Sequence, residues 1–452
     1  MDEKFYENAQ VENGVLLEYE LDDETHLVIP EGITKIAKEA CQDSRRLEAV
    51  TLPDSLCEIE PGAFENCCYI DKLILSENHP HFTFDGDALF NKDKTLLIWA
   101  IPTLENHYDI PDTVVTIGPR AFDSCDISSV SIPSSVREIG EKAFDCCALE
   151  SVDIAYGVTT IASNAFSSCS ELTSVTIPNS VTTIGWGAFS LCSSLSSIVI
   201  PNSVTTIEGS VFYCCHELTS VTIPEGITAI GSWAFRGCQN LTDISIPDTV
   251  TSIGEGAFQE CNDLVHITLP KGITTVSENI FRECSSLADV NLPDTVTSID
   301  KCAFYQCASL ASIQLPKNLT NIGRSAFAHT GLTHIEIPNG VTAIEGGAFW
   351  RCLKLTELIF PASVTSIKQG AFEACKNLIS VTIPASVTTL EDWEDFDREE
   401  RPTICAVPDS VAWRWAEEHG FPVQKLVPEK GVCPRCGSKL KGLIFKKCPN
   451  CK

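Results

Sequence analysis

Leu172-Thr-Ser-Val-Thr-Ile-Pro-Asn-Ser-Val-Thr-Thr-Ile-Gly-Trp-Gly-Ala-Phe-Ser-Leu-Cys192 is one copy of a unit that returns about every 23 residues along most of the chain. Its apolar set is Leu172, Val175, Ile177, Val181, Ile184, Ala188 and Phe189. Val175 and Ile177 alternate with Ser174 and Thr176, the period of a half-buried strand. Pro178 ends that strand and turns the chain, because proline fixes φ and removes a ladder donor. Val181-Thr-Thr-Ile-Gly185 reads as a second short extended piece, and Trp186 to Cys192 as a helical or 3-10 turn that packs Phe189 inward. So few apolar side chains do not offset the entropy of ordering a whole unit, so neighbouring units must stack into one continuous core. The fold class expected is a repeat solenoid, mainly β.

The proline corner recurs at Pro30, Pro53, Pro111 and Pro133, and then in steps of 22 or 23 residues from Pro178 to Pro384. Ser76 and Ala155 take the corner position where proline is missing. The repeated Ile-Pro, Val-Thr-x-Ile-Gly, Ala-Phe, Cys and Leu landmarks resemble the BspA-like subclass of leucine-rich repeats over residues 26 to 424. The resemblance implies a leucine-rich-repeat solenoid and, on a family-wide view, protein binding or adhesion, many relatives being surface proteins.

Breaks in the period divide the chain. Residues 1–25 read as a polar N-terminal cap and 26–390 as the solenoid, with an insertion at about 77–103. Within the insertion, Phe82–Phe90 and Thr95–Trp99 flank Asn91–Lys94 as a projecting hairpin. Residues 391–424 form a C-terminal cap: an acidic run, Glu391–Glu400, precedes a short helix with Ser410 as N-cap, an apolar face of Val411, Ala412, Trp415 and Ala416, and Gly420 at its end. A linker at 425–432 leads to 433–452.

That last segment holds the one strong metal signature. Cys433-Pro-Arg-Cys436 and Cys448-Pro-Asn-Cys451 are paired knuckles eleven residues apart, and each can aim two thiolates at a single tetrahedral ion. The segment resembles a small zinc ribbon, with Lys439–Lys447 as a hairpin between the knuckles. Iron, as in rubredoxin-like knuckles, is the lesser reading, since neither knuckle is followed by an aromatic residue. With four cysteine ligands no position stays open for substrate, so the zinc is expected to be structural. Lys425, Lys430, Arg435, Lys439, Lys441, Lys446, Lys447 and Lys452 surround it against Glu429 alone. This basic tail is the one place where nucleic acid is an alternative partner.

Elsewhere the balance is acidic: 61 Asp and Glu against 32 Lys and Arg in 452 residues, a net charge of −29, which disfavours a phosphate backbone along the solenoid. The N-terminus lacks the pattern of a secretory signal, and no apolar run is long enough to span a membrane, so the cytoplasm is the expected location.

Twelve repeats place a cysteine three residues after the phenylalanine, from Cys67 and Cys125 to Cys375, with Thr330 departing. Stacked side chains point the same way about 4.8 Å apart, whereas a disulfide needs converging Cβ atoms about 3.5–4.5 Å apart, so these thiols are expected to be free packing elements. His26, His107, His266 and His334 fall four residues before a corner, on the solvent side, too dispersed for a shared cluster. His79 and His81 read as surface histidines. No phosphate loop, dinucleotide fingerprint, His-Glu-x-x-His or Gly-x-Ser-x-Gly occurs.

The candidate binding strip is the outward row of the first strands. Ser129, Ser131, Ser151, Asp153, Ser174, Thr176, Ser197, Val199, Ser220 and Thr222 make its first part nearly uncharged, and Asp243, His266, Asp289, Glu336 and Glu357 make its later part ionic. The sequence thus points to a non-enzymatic intracellular scaffold that binds an unidentified protein through its solenoid, with a surface adhesin or a nucleic-acid regulator as alternatives.

Overall fold

Each repeat has three legs: a first-row strand, a second-row strand after the proline corner, and a turn row that returns the chain. In the quoted unit these are Ser174–Thr176, Thr183–Ile184 and the segment from Gly185 to Cys192. The corner closes by Val181 N–H donating to Pro178 O at 3.0 Å. The computed structural model describes residues 2–20, 24–104, 106–391 and 401–426. The chain divides into two compact units, residues 1–226 and 227–452.

In the first unit, Asp2–Asn8 is helical and the hairpin Ala9–Glu12/Val15–Tyr19 follows it. Val15–Tyr19 pairs in parallel with Lys35–Ile36, so the N-terminal segment supplies a rung of the second row. Second-row pairs then run Leu96–Ala100, Thr116–Ile117, Glu138–Ile139, Thr160–Ile161 and Thr183–Ile184, all parallel. First-row pairs align like with like, Val152 beside Val175 and Ile198 beside Val221. The second unit repeats this arrangement, with Ile267 beside Val290 and Leu358 beside Val381. Its last first-row sheet continues through Thr403–Ala406 to Val423–Lys425, two strands with no proline corner to announce them.

The turn row is not a helical or 3-10 turn, and its hydrogen bonds explain why. Ala188, Ser190 and Cys192 donate locally, to Gly185, Gly187 and Phe189 carbonyls, but Gly187, Phe189 and Leu191 donate to Gly209, Val211 and Tyr213 of the next rung at 3.0, 3.0 and 2.7 Å. A 3-10 segment would bond successive amides to carbonyls three residues back, not alternate ones. Here alternate amides face outward because Gly187 and Leu191 sit at φ 62° and 61°, a left-handed backbone that flips successive peptide planes. Leu191 takes that conformation at a cost of about 1–2 kcal/mol, offset by the inter-rung bonds it makes possible.

Beneath the turn row the phenylalanines stack. Ring centroids of Phe122, Phe144, Phe166 and Phe189 are 4.9, 5.1 and 5.5 Å apart, with planes within 8° of parallel. Phe235, Phe258 and Phe281 continue the pattern in the second unit at 5.5 and 5.9 Å. All are fully buried. At the end of that unit, the helix Val411–Glu418 is capped by Ser410, whose side chain accepts from Trp413 N–H at 3.2 Å, and buries Ala412, Trp415 and Ala416.

The insertion differs from a projecting hairpin. Phe82–Phe84, Ala88–Asn91 and Leu96–Ala100 form an antiparallel meander whose last strand stays in the second row as the partner of Thr116–Ile117. His79 is fully buried there, not at the surface. Its Nε2 donates to Pro53 O at 2.9 Å and its Nδ1 accepts from His81 and Phe82 amides, both at 3.2 Å.

Phe258→Ala removes one ring from a stack with a neighbour on each side and should cost about 3–5 kcal/mol. Denaturant titration of the purified variant checks this; an unchanged midpoint would place Phe258 outside the core.

Candidate binding surface

First-row strands present one face inward and one to solvent. Val152, Ile154, Ile198 and Ile200 are buried, while Ser151, Asp153, Ser197 and Val199 are exposed, Val199 at 63%. The strip named from sequence is therefore a real outward surface in each unit. Its histidines bond to their immediate neighbours: His26 Nε2 lies 2.8 Å from Thr51 Oγ1, and His107 bridges Ser129 Oγ at 2.8 Å and Asp109 Oδ1 at 3.0 Å. Hydrogen bonds from Ser131 and His107 hold the Asp109 carboxyl below its ordinary value. Among the described residues, no group of three or more His, Cys, Asp or Glu is placed to hold a metal.

In the second unit the strip deepens. Across the rungs Val290–Asp294, Ser312–Lys317 and His334–Asn339 lies a depression of about 980 Å³. The last two of those segments carry no strand. Asn291, Ser312, Gln314, His334 and Glu336 line it, with corner prolines Pro293, Pro316 and Pro338 along one side. Nothing in the hydrophobic period announces this depression; carboxamide and carboxylate side chains at equivalent outward positions of the three rungs, Asn291, Gln314 and Glu336, are the sequence signal. A shallower hollow pairs exposed Ile379, at 70%, with Lys354, Lys376 and Arg401.

The cysteine ladder faces away from all of this. Cys147, Cys169 and Cys192 are buried, and each thiol donates to the carbonyl of the preceding rung's phenylalanine position, Phe122, Phe144 and Phe166, at 2.9, 3.0 and 3.1 Å. In the second unit Cys284, Cys307 and Cys375 do the same to Phe258, Phe281 and Phe349 at 3.0 to 3.1 Å. The residue is thus a donor as well as a small packing group. Thr330 turns its hydroxyl to its own Phe327 carbonyl at 2.8 Å. Burial pushes the Cys67 thiol up to about 11 and the Cys169 thiol up to about 12, which keeps them protonated and unreactive. Among the described residues, the exposed thiols are Cys57, Cys68 and Cys146. Cys433, Cys436, Cys448 and Cys451, with the basic tail around them, lie outside the described residues.

The BspA type leucine-rich repeat region matches the chain in six copies across residues 19–103, 103–216, 205–301 and 276–394. The chain belongs to the BspA-type leucine-rich repeat family. A leucine-rich repeat protein from Bacteroides ovatus is similar at 26% identity, covering 84% of this chain and 94% of its own, with a TM-score of 0.60. A leucine rich cell surface protein from Faecalibacterium prausnitzii shares 29% identity over 81% of this chain and 100% of its own, with a TM-score of 0.52. Curated proteins include no sequence match. Membership in the BspA-type family fixes the architecture as a leucine-rich-repeat solenoid, and no helix among the described residues is long and apolar enough to cross a membrane.

Folding favours the neutral form of these buried thiols, whose ordinary value is 9.0. Their contribution is complete below about pH 9 and declines as pH rises through 11 and 12. Tyr19, raised to about 12 by burial and its bond to Glu24, acts with the same sign. Thermal melts should therefore be flat near neutrality and fall as pH climbs above 9; a constant midpoint to pH 11 would contradict the assignment.

Proposed function

We propose that this BspA-type chain is a non-catalytic scaffold that binds a protein partner through the outward face of its first-row strands. The observation that carries the reading is the depression at Asn291, Gln314 and Glu336, a concave stretch of the strip. Its mixed amide, imidazole and carboxylate lining suits a polar polypeptide surface, and the net charge of −29 favours a partner with a neutral or basic face. Many protonated, buried thiols suit a reducing compartment, which supports an intracellular role. The description of the Faecalibacterium prausnitzii relative as a cell surface protein supports the adhesin reading instead. Surface labelling of the intact host separates the two: labelling of this chain on whole cells favours the adhesin, and labelling only after lysis favours the scaffold.

The partner surface is tested with Gln314→Arg combined with Glu336→Arg. Affinity purification of the tagged full chain from its host should lose the partner that wild type retains, at an unchanged melting temperature. Retention would move the interface elsewhere.

The same proposal includes one structural zinc per chain on Cys433, Cys436, Cys448 and Cys451. Four thiolates make a closed donor set suited to zinc. Elemental analysis should give one zinc in wild type and none in Cys433→Ser, with the solenoid melt intact. Equal zinc in both proteins would refute these ligands.

A further inference from the structure

The backbone of the first unit contains an internal edge. In a regular turn row three alternate amides donate to the next rung: Arg120, Phe122 and Ser124 reach Glu141, Ala143 and Asp145 carbonyls at 2.8, 2.7 and 2.8 Å. One rung before the insertion, Glu39, Cys41 and Asp43 do the same to Gly62, Ala63 and Glu65 at 3.1, 2.9 and 2.8 Å. The equivalent amides of the next turn, Gly62, Phe64 and Asn66, donate to no acceptor among the described residues. Among the described residues, the strand Glu58–Ile59 pairs only with Lys35–Ile36, and the carbonyls of Cys57 and Ile59 accept no backbone hydrogen bond. Five backbone groups that every regular rung satisfies are thus left open together.

The cause lies in the insertion. Where other rungs have Gly-x-x-Ala-Phe-x-x-Cys, this one has Ile98-Trp-Ala-Ile-Pro-Thr-Leu104, too short to supply a turn row. It bonds onward, Ala100 N–H to Ala121 O at 2.7 Å, but offers nothing back to Gly62, Phe64 and Asn66. Arg120 spans the gap instead, pairing with Glu65 at 3.1 Å and with Asp123 at 2.5 Å. What remains is a cavity of about 380 Å³ bordered by these open groups.

Its walls define a ligand. Ile59, Ile98 and Trp99 are half-buried against the core, with the Trp99 ring 5.4 Å from Phe64. Glu58, Glu60, Glu65 and Asp123 line it against the single guanidinium of Arg120. A row of open amides and carbonyls is the template for strand addition, an apolar floor takes a side chain, and an acidic rim takes flanking cations. The volume is near the lower end of ligand sites, about 300–1,000 Å³, and admits one large side chain with its backbone, not a folded surface.

We propose that this gap binds an extended peptide segment bearing an aromatic or aliphatic residue flanked by Lys or Arg, which completes the interrupted rung by hydrogen bonding to the Cys57–Asn66 edge. The site is separate from the first-row strip and stands or falls without it.

The probe is a fluorescein-labelled peptide, acetyl-Lys-Val-Lys-Phe-Lys-Val-amide, titrated against the full chain by anisotropy. Binding should weaken at least tenfold for an analogue N-methylated at alternate amides, which keeps charge and side chains but loses the edge bonds. Cys68→Trp, at an exposed position lining the cavity, should weaken it similarly, whereas Gln314→Arg/Glu336→Arg should leave it unchanged. Hydrogen exchange gives a readout independent of any variant: the amides of Gly62, Phe64 and Asn66 should exchange fast in the free chain and at least tenfold more slowly with peptide. Equal affinity for the N-methylated analogue, or no added protection, would reduce the binding to surface electrostatics and overturn the proposal. Protection of those amides in the free chain, accompanied by a dimer in light scattering, would overturn it in favour of a second copy.

Discussion

In a regular rung, alternate amides of the turn row tie it to the next, and the rest of the repeat follows from where they point. Because Phe166 donates to Ala188 and Phe189 to Val211, at 2.8 and 3.0 Å, adjacent rungs are held at backbone distance along this leg as well as along the two strand rows. At that spacing the phenylalanine of one rung must lie on that of the next, and their planes stay within a few degrees of parallel. The cysteine follows from the same geometry. It sits where the carbonyl of the preceding phenylalanine would otherwise be a buried acceptor shared by nothing on that side, and a thiol is apolar enough to bury while still donating.

Period-2 and proline signals made the strand rows legible. Ser174–Thr176 and Thr183–Ile184 lie where alternation and Pro178 placed them, and Phe189 points inward. The turn row misled because left-handed backbone is usually announced by glycine, whereas here Lys142, Trp233, Arg351 and Ala374 adopt φ between 55° and 57°. Those residues are chosen for solvent or packing, and the conformation is imposed by inter-rung bonds that a single repeat does not display. His79 was misread for a related reason. Its acceptor, Pro53 O, is 26 residues away, so local polarity said surface while a tertiary bond made burial affordable. The strands Thr403–Ala406 and Val423–Lys425 lack the corner that marks the others, and their pairing is decided by the edge already presented by Ser380–Thr382.

The candidate strip was legible as a face but not as a site. Outward alternation identifies Ser197, Val199, His266 and Asp289, yet the depression at Gln314 and Glu336 lies across two successive rungs that carry no strand, and their hydrophobic period does not differ from that of their neighbours. The internal edge at Cys57–Asn66 is similar. Irregular spacing between Ser76 and Pro111 revealed an insertion, but only the hydrogen-bond pattern reveals which face of it goes unpaired.

An unpaired edge inside a stacked protein invites pairing with any other edge, including that of a second copy. This one carries charge instead of a covering strand. Glu58 and Glu60 hold Lys35 at 2.9 and 2.5 Å, and Glu65 holds Arg120 at 3.1 Å, so the groups that flank the open amides are already paired and their excess is acidic. Another copy would bring the same acidic excess to the contact and be repelled, whereas a segment carrying cations would not. The charges that keep the edge from assembling with itself therefore also set the sign of what can complete it, and a BspA-type solenoid gains selectivity at the point where its repeat is broken.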